Sequence, residues 1–262
     1  MNNKNFEYLR DQVKFTGFGE GLATELKDAL SKGEQQFSLE YHAQYQQDYI
    51  QASLNFNKSK ETDLYFFNSY KMELQKQGGV EQLTQQFYIH KDNNITMKEA
   101  YNLLSGRSVH KELINQQGEK YQAWLQLDFK QSDSQGNFKM NQYHENYGYD
   151  LVKELEKHPI EQLTNPQYQK ELLESLKKGN LQSVNLKQGD QVLKIYVEAN
   201  PQYKTINLYD ANIKKINHSI SQHQRKGQTQ DEKKSTKVKQ GTAVDDVSSD
   251  KPSKKRIKPS LG

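Results

Sequence analysis

The residues whose types could do chemistry are few and scattered. Seven histidines are present and no cysteine. Thiolate nucleophiles, disulfides and cysteine-ligated zinc or iron–sulfur sites are thereby excluded. His144-Glu145 lacks the second histidine that a zinc-binding His-Glu-x-x-His helix requires. His90 and Asp92 are two apart at an expected strand end, and spacing supplies no third ligand. The stretch Thr16-Gly17-Phe18-Gly19-Glu20-Gly21 has the glycine content of a phosphate-cradling loop. That loop needs a strand before it, whereas Phe6, Leu9 and Val13 have helical spacing. A turn between two helices, with glycine supplying positive φ, is the expectation. No Gly-x-Ser-x-Gly elbow, P-loop or kinase signature occurs, and spacing alone nominates no acid–base carboxylate pair. These residues nominate no catalytic group, no cofactor and no metal site, and leave open whether the chain is an enzyme.

Three groups of residues keep a binding role. Asn141-Gln-Tyr-His-Glu-Asn-Tyr-Gly-Tyr-Asp150 is the densest polar-aromatic segment, and Tyr143, His144, Glu145 and Tyr147 are candidates to line a ligand pocket. The alternative is a loop whose tyrosines pack by their rings and keep their hydroxyls wet. Arg107 and Lys111 follow an expected helix C-terminus. They could contact phosphate, with Tyr121 or Trp124 as a stacking surface, or simply complement the negative end of the helix dipole. In the tail, Lys254, Lys255, Arg256 and Lys258 could attract phosphate without sequence preference, or serve only to solubilise the end of the chain.

Charge separates tail from body. The chain of 262 residues carries a formal +4. From Ser221 onward there are 11 Lys and Arg against 5 Asp and Glu, which leaves 26 against 28 before it. The body therefore gives no overall charge signal for nucleic acid. Only 33% of residues are hydrophobic, but 16 Tyr and 10 Phe add large buried area per side chain.

The elements that must position these groups follow from periodicity. Residues 4–31 read as two short helices. Phe37, Leu39 and Tyr41, then Ile50 to Phe56, then Tyr70, Met72 and Leu74, then Phe87 and Ile89 alternate with polar neighbours. This is the pattern of antiparallel strands with one wet face. Thr96 and Glu99 form a capping box ahead of a helix over 95–106, with Met97, Ala100, Leu103 and Leu104 as its buried stripe and Gly106 as its stop. Strands are expected at Ser108–Ile114 and Lys120–Phe129. In the second, Ala123, Leu125, Leu127 and Phe129 should face one way and Trp124, Gln126 and Asp128 the other. Helices should run from about Asp150 to Lys157 and from Asn165-Pro166 to Gly179, followed by strands at Leu181–Leu186, Val192–Ala199 and Lys204–Tyr209. Strand runs separated by helix runs indicate an α+β fold of antiparallel sheets with short packed helices. The expected divisions are 1–92, 93–220 and a basic, disordered tail over 221–262.

The stretch Ile95-Thr-Met-Lys-Glu-Ala-Tyr-Asn-Leu-Leu-Ser-Gly-Arg-Ser-Val-His-Lys-Glu-Leu113, through Gly118 to Tyr121-Gln-Ala-Trp-Leu-Gln-Leu-Asp128, resembles an uncharacterised module of proteins from Bacteroidetes conjugative plasmids and transposons. Glu198-Ala-Asn-Pro-Gln-Tyr-Lys-Thr-Ile-Asn-Leu-Tyr-Asp210 is similar to segments that follow that module. The match covers about a third of the chain, and Gly118-Glu119-Lys120 replaces the family's Gly-Lys turn. The family has no assigned catalytic residues. The resemblance implies an accessory protein of a mobile element, partnered by nucleic acid or by another element-encoded protein. The competing classes are a small-ligand binder or enzyme built on the Tyr143–Asp150 segment, and a protein–protein adaptor. With no apolar stretch long enough to cross a membrane and no apolar leader at the start, a cytoplasmic, membrane-free location is expected.

Overall fold

The computed structural model describes residues 2–216, apart from Val80 and Asp92. The tail candidates Lys254, Lys255, Arg256 and Lys258, and the expected disorder after 220, lie outside the described residues, as does Asp92.

Helix α1 (Asn3–Val13) starts at Asn2, whose side chain accepts the Asn5 N–H, and runs into a π turn over Lys14–Phe18. Gly17 at φ +103° and Gly19 at φ +70° break it before α2 (Ala23–Lys32). The glycine-rich stretch is thus a turn between helices, as expected. Its result is to drive Phe18 into the core, edge-on to Tyr41 and Tyr70 at 5.2 and 5.1 Å.

A meander follows: β1 (Gln36–Tyr45), β2 (Asp48–Lys58), β3 (Tyr65–Gln75) and β4 (Gln82–Tyr88), all antiparallel and in that order. The inward residues of β2, Ile50, Ala52, Leu54 and Phe56, are fully buried, so period-two alternation was legible here. The helices cover this inner face. Helix α3 (Met97–Leu104) carries both halves of the capping box, with Thr96 accepting from Glu99 N–H and Glu99 accepting from Thr96 N–H at 2.8 Å. It ends in a Schellman motif: Gly106, at φ +85°, donates to Leu103 O, and Arg107 N–H donates to Asn102 O.

The second sheet is β5 (Val109–Ile114), β6 (Lys120–Ser132) and β7 (Phe138–His144), with β6 in the centre. Val109, Leu125 and Leu127 face the first core, while Trp124 belongs to a second one. Trp124 is only 6% exposed, because this sheet divides two cores and is covered on both sides.

The second core is built from α4 (Leu151–Glu156), α5 (Pro166–Lys177) and a sheet ordered β10-β9-β8, with β8 (Gln182–Gln188), β9 (Gln191–Asn200) and β10 (Thr205–Tyr209). Asp150 caps α4, and Asn165, followed by proline at the first helical position, caps α5. Helix α5 also ends in a Schellman motif, with Gly179 N–H on Leu176 O and Asn180 N–H on Ser175 O. The fold is α+β. The expected break at 92/93 does not separate cores, since α3, β5 and β6 complete the first one. The described residues group as one compact unit.

Candidate functional site

The two Schellman turns meet, and this decides what Arg107 does. Its Nε donates to Gly179 O at 2.9 Å, and its Nη2 donates to Asn102 Oδ1 at 2.6 Å. Asn102, fully buried, donates in turn to Lys178 O at 2.7 Å and Asn180 Oδ1 at 3.0 Å. One guanidinium thus serves the carboxyl ends of α3 and α5, where unsatisfied carbonyls concentrate negative charge.

The remaining face of Arg107 borders a cleft of about 460 Å³. Five segments form it: the β1–β2 turn with Tyr45 and Asp48, the turn after β3 with Lys76, α3 and its C-cap with Lys98, Tyr101 and Ser105, the start of β8, and the turn after β10 with Ile213. Lys98 Nζ lies 4.3 Å from the Tyr45 ring centroid and 4.7 Å from that of Tyr101. These two rings stack at 5.0 Å. Among the described residues no carboxylate pairs with Lys98. Partial burial, and then the nearby charge of Arg107, hold its ammonium below the usual lysine range. Lys76 adds a third cation at the cleft. The single carboxylate of the lining, Asp48, is engaged by the Tyr101 hydroxyl at 2.9 Å and by Gln77 N–H at 3.2 Å. Burial, followed by the bond to Asp48, raises the Tyr101 phenol. Among the described residues Ser105 Oγ, on the same lining, is buried without a hydrogen-bond partner. A cleft of this make-up can take an anionic group.

Its rim carries a backbone outlier. Three turns share one geometry, in which a leading Asn or Asp accepts the N–H groups two and four residues on: Asn115–Glu119, Asp133–Asn137 and Asp210–Lys214. The fourth position is left-handed in each. Gly118 (φ +82°) and Gly136 (φ +84°) suit it, whereas the third turn has Ile213 at φ +60°. A β-branched residue is strained there, and Ile213 is nonetheless 46% exposed at the cleft.

Other expected site residues lie elsewhere. Lys111 is turned inward, with its Nζ 3.2 Å from Glu99 Oε2 and 3.0 Å from Asn94 O, so it supports the capping box. Trp124 packs edge-on to Tyr149 at 5.5 Å and His110 at 5.1 Å. It is too buried to stack on a ligand. Tyr121 lies at the outer end of β6 against His144, with ring centroids 5.1 Å apart.

The proposed pocket of Tyr143, His144, Glu145 and Tyr147 is not assembled. Tyr143 is opposite Trp124 and His144 opposite Ala123, so strand alternation sends them to opposite faces of β7. Tyr143 and Tyr147 pack ring to ring at 5.0 Å, with Tyr147 OH on Gln202 O and Lys204 Nζ over its ring. His144 and Glu145 instead border a shallow surface hollow with Tyr121.

Sequence reasoning missed the Tyr45–Lys98–Ile213 grouping, because its members come from three distant segments. The only local signal was Ile213 standing where the turns at Gly118 and Gly136 have glycine. Among the described residues no group of three or more His, Asp or Glu is placed to hold a metal ion, and no helix is long and apolar enough to cross a membrane. No family model, curated protein or solved structure matches the chain.

Proposed function

We propose that the chain is a non-enzymatic accessory protein of a conjugative mobile element that contacts DNA, with the Lys76–Lys98–Arg107 cleft as the phosphate-binding part of its body. The observation that carries this reading is the convergence of three cations around one already engaged carboxylate, in a body whose overall charge is slightly acidic. The resemblance over 95–128 supports the genetic context, since α3 supplies Lys98 and its C-terminal turn supplies Arg107. The basic tail adds affinity without specificity, because phosphate neutralisation is what lysine and arginine provide. The enzyme or small-ligand reading loses its footing with Tyr143 and His144 on opposite faces.

Fluorescence anisotropy on single- and double-stranded DNA at two salt concentrations tests it. Full-length protein should bind at low salt and lose affinity steeply as salt rises. Removing residues 221–262 should flatten that dependence without abolishing binding. Lys76→Gln with Lys98→Gln should weaken the residual binding about tenfold and lower the salt slope by about one for each lysine lost. No binding by the full-length chain at low salt would overturn the reading.

A further inference from the structure

Three sheet edges in this molecule are engaged by neighbouring backbone or side chains. At β4, Gln86 N–H donates to Asn137 Oδ1 at 2.9 Å, and Phe138 N–H donates back to Gln85 Oε1 at 2.7 Å. Beside β8, Lys187 N–H bonds Pro159 O and Asn185 N–H bonds Gln162 Oε1. At β10, Ile216 N–H bonds Leu208 O, and Lys215 bridges Tyr209.

The edge of β1 differs. Tyr45 and Asp48 close a two-residue turn, so the odd-numbered residues of β1 bond to β2. The backbone N–H and C=O groups of Ser38, Glu40, His42 and Gln44 therefore point away from the sheet. All four residues are exposed, and among the described residues nothing bonds to these backbone groups. β1 is ten residues long, is paired in regular register, and contains no proline, lysine or arginine. It has none of the devices that keep an edge from pairing except the single charge of Glu40.

We infer that β1 pairs with β1 of a second copy of this chain, antiparallel about a two-fold axis at Tyr41. In that register Ser38 opposes Gln44 and Glu40 opposes His42, each twice, and Tyr41 opposes itself on the inner face. No like charges meet. His42 holds the Tyr49 hydroxyl through Nδ1 at 2.8 Å, which leaves its Nε2 for the opposing carboxylate. The two meanders become one eight-stranded sheet, and both free edges are satisfied together. A two-fold contact of this kind uses one patch on both copies and closes on itself.

Sedimentation velocity on nucleic-acid-free, full-length protein over a concentration series tests this, independently of DNA binding. A monomer–dimer equilibrium is expected. Glu40→Lys and His42→Glu should each weaken self-association about tenfold, by removing two symmetric cross-strand pairs. An equimolar mixture of the two variants should recover it. In the mixed dimer the lysine introduced in one chain opposes the glutamate introduced in the other, and the second pair is the native Glu40 against the native His42. A folding defect in either variant would give no such recovery, and thermal melts of each separate the two effects. Gln44→Pro, which deletes an outward N–H on an edge strand that tolerates proline, should also favour the monomer. A monomer at every concentration, or a dimer indifferent to all three substitutions, would overturn the inference.

Discussion

Arg107 Nε donates to the carbonyl of Gly179 at 2.9 Å across 72 positions of sequence, and so ties the end of α3 to the end of α5. The two cores meet at this junction, and the candidate cleft opens beside it. Gly179 is required there on two counts. It sits at φ +79°, and a Cβ would lie 2.9 Å from Ser108 O and 3.0 Å from Asn102 Cβ. Gly179→Ala should destabilise by about 3 kcal/mol, from left-handed strain added to overpacking. Asn102→Ala should cost about 2–3 kcal/mol, because Lys178 O and an Arg107 N–H lose their buried partner. Urea denaturation of each variant checks both, and unchanged midpoints would refute the junction.

The capped helix gives a second test. Leu104 is fully buried in the first core, and Leu104→Ala should cost about 2–4 kcal/mol. Thr96→Ala should cost about 1 kcal/mol by breaking the capping box. Chemical denaturation with far-ultraviolet circular dichroism reads both values.

Ile213 separates stability from binding. Ile213→Gly should raise stability by roughly 0.5–1 kcal/mol, as relief of left-handed strain exceeds the added freedom of the unfolded chain. If the exposed side chain serves the cleft, the same variant should bind DNA more weakly than the wild type. A variant that is both more stable and an undiminished binder would remove Ile213 from the site.

His110 predicts a pH dependence. Burial, and then the charge of Lys177, lower its pKa in the fold, with Glu145 opposing weakly. Between the depressed folded value and about 6.5 the unfolded chain binds the proton more readily. Stability is thus fully present above the unfolded pKa and is lost as pH falls through that window. His110→Gln should flatten the slope of stability against pH there, as measured by thermal melts from neutral to mildly acidic buffer. An unchanged slope would assign the effect to other groups.

The sequence by itself determined the elements. Alternation in Ile50 to Phe56, the Thr96–Glu99 box, the Asn165-Pro166 start and the glycine stops at 106 and 179 all act within a few residues, where period and capping chemistry decide the conformation. Tertiary structure decided which faces were wet. Trp124 lies on the face of β6 opposite Leu125 and Leu127, and a second core covers it there. Tyr143 and His144 are neighbours in sequence and are separated by the pleat of β7. Lys111, a candidate phosphate contact by its place after the helix, is drawn inward by the Glu99 carboxylate. The cleft depends on segments some 50 to 170 residues apart, Tyr45, Lys98 and Ile213. No local period encodes such a meeting, because it exists only once two cores have packed on opposite sides of one sheet.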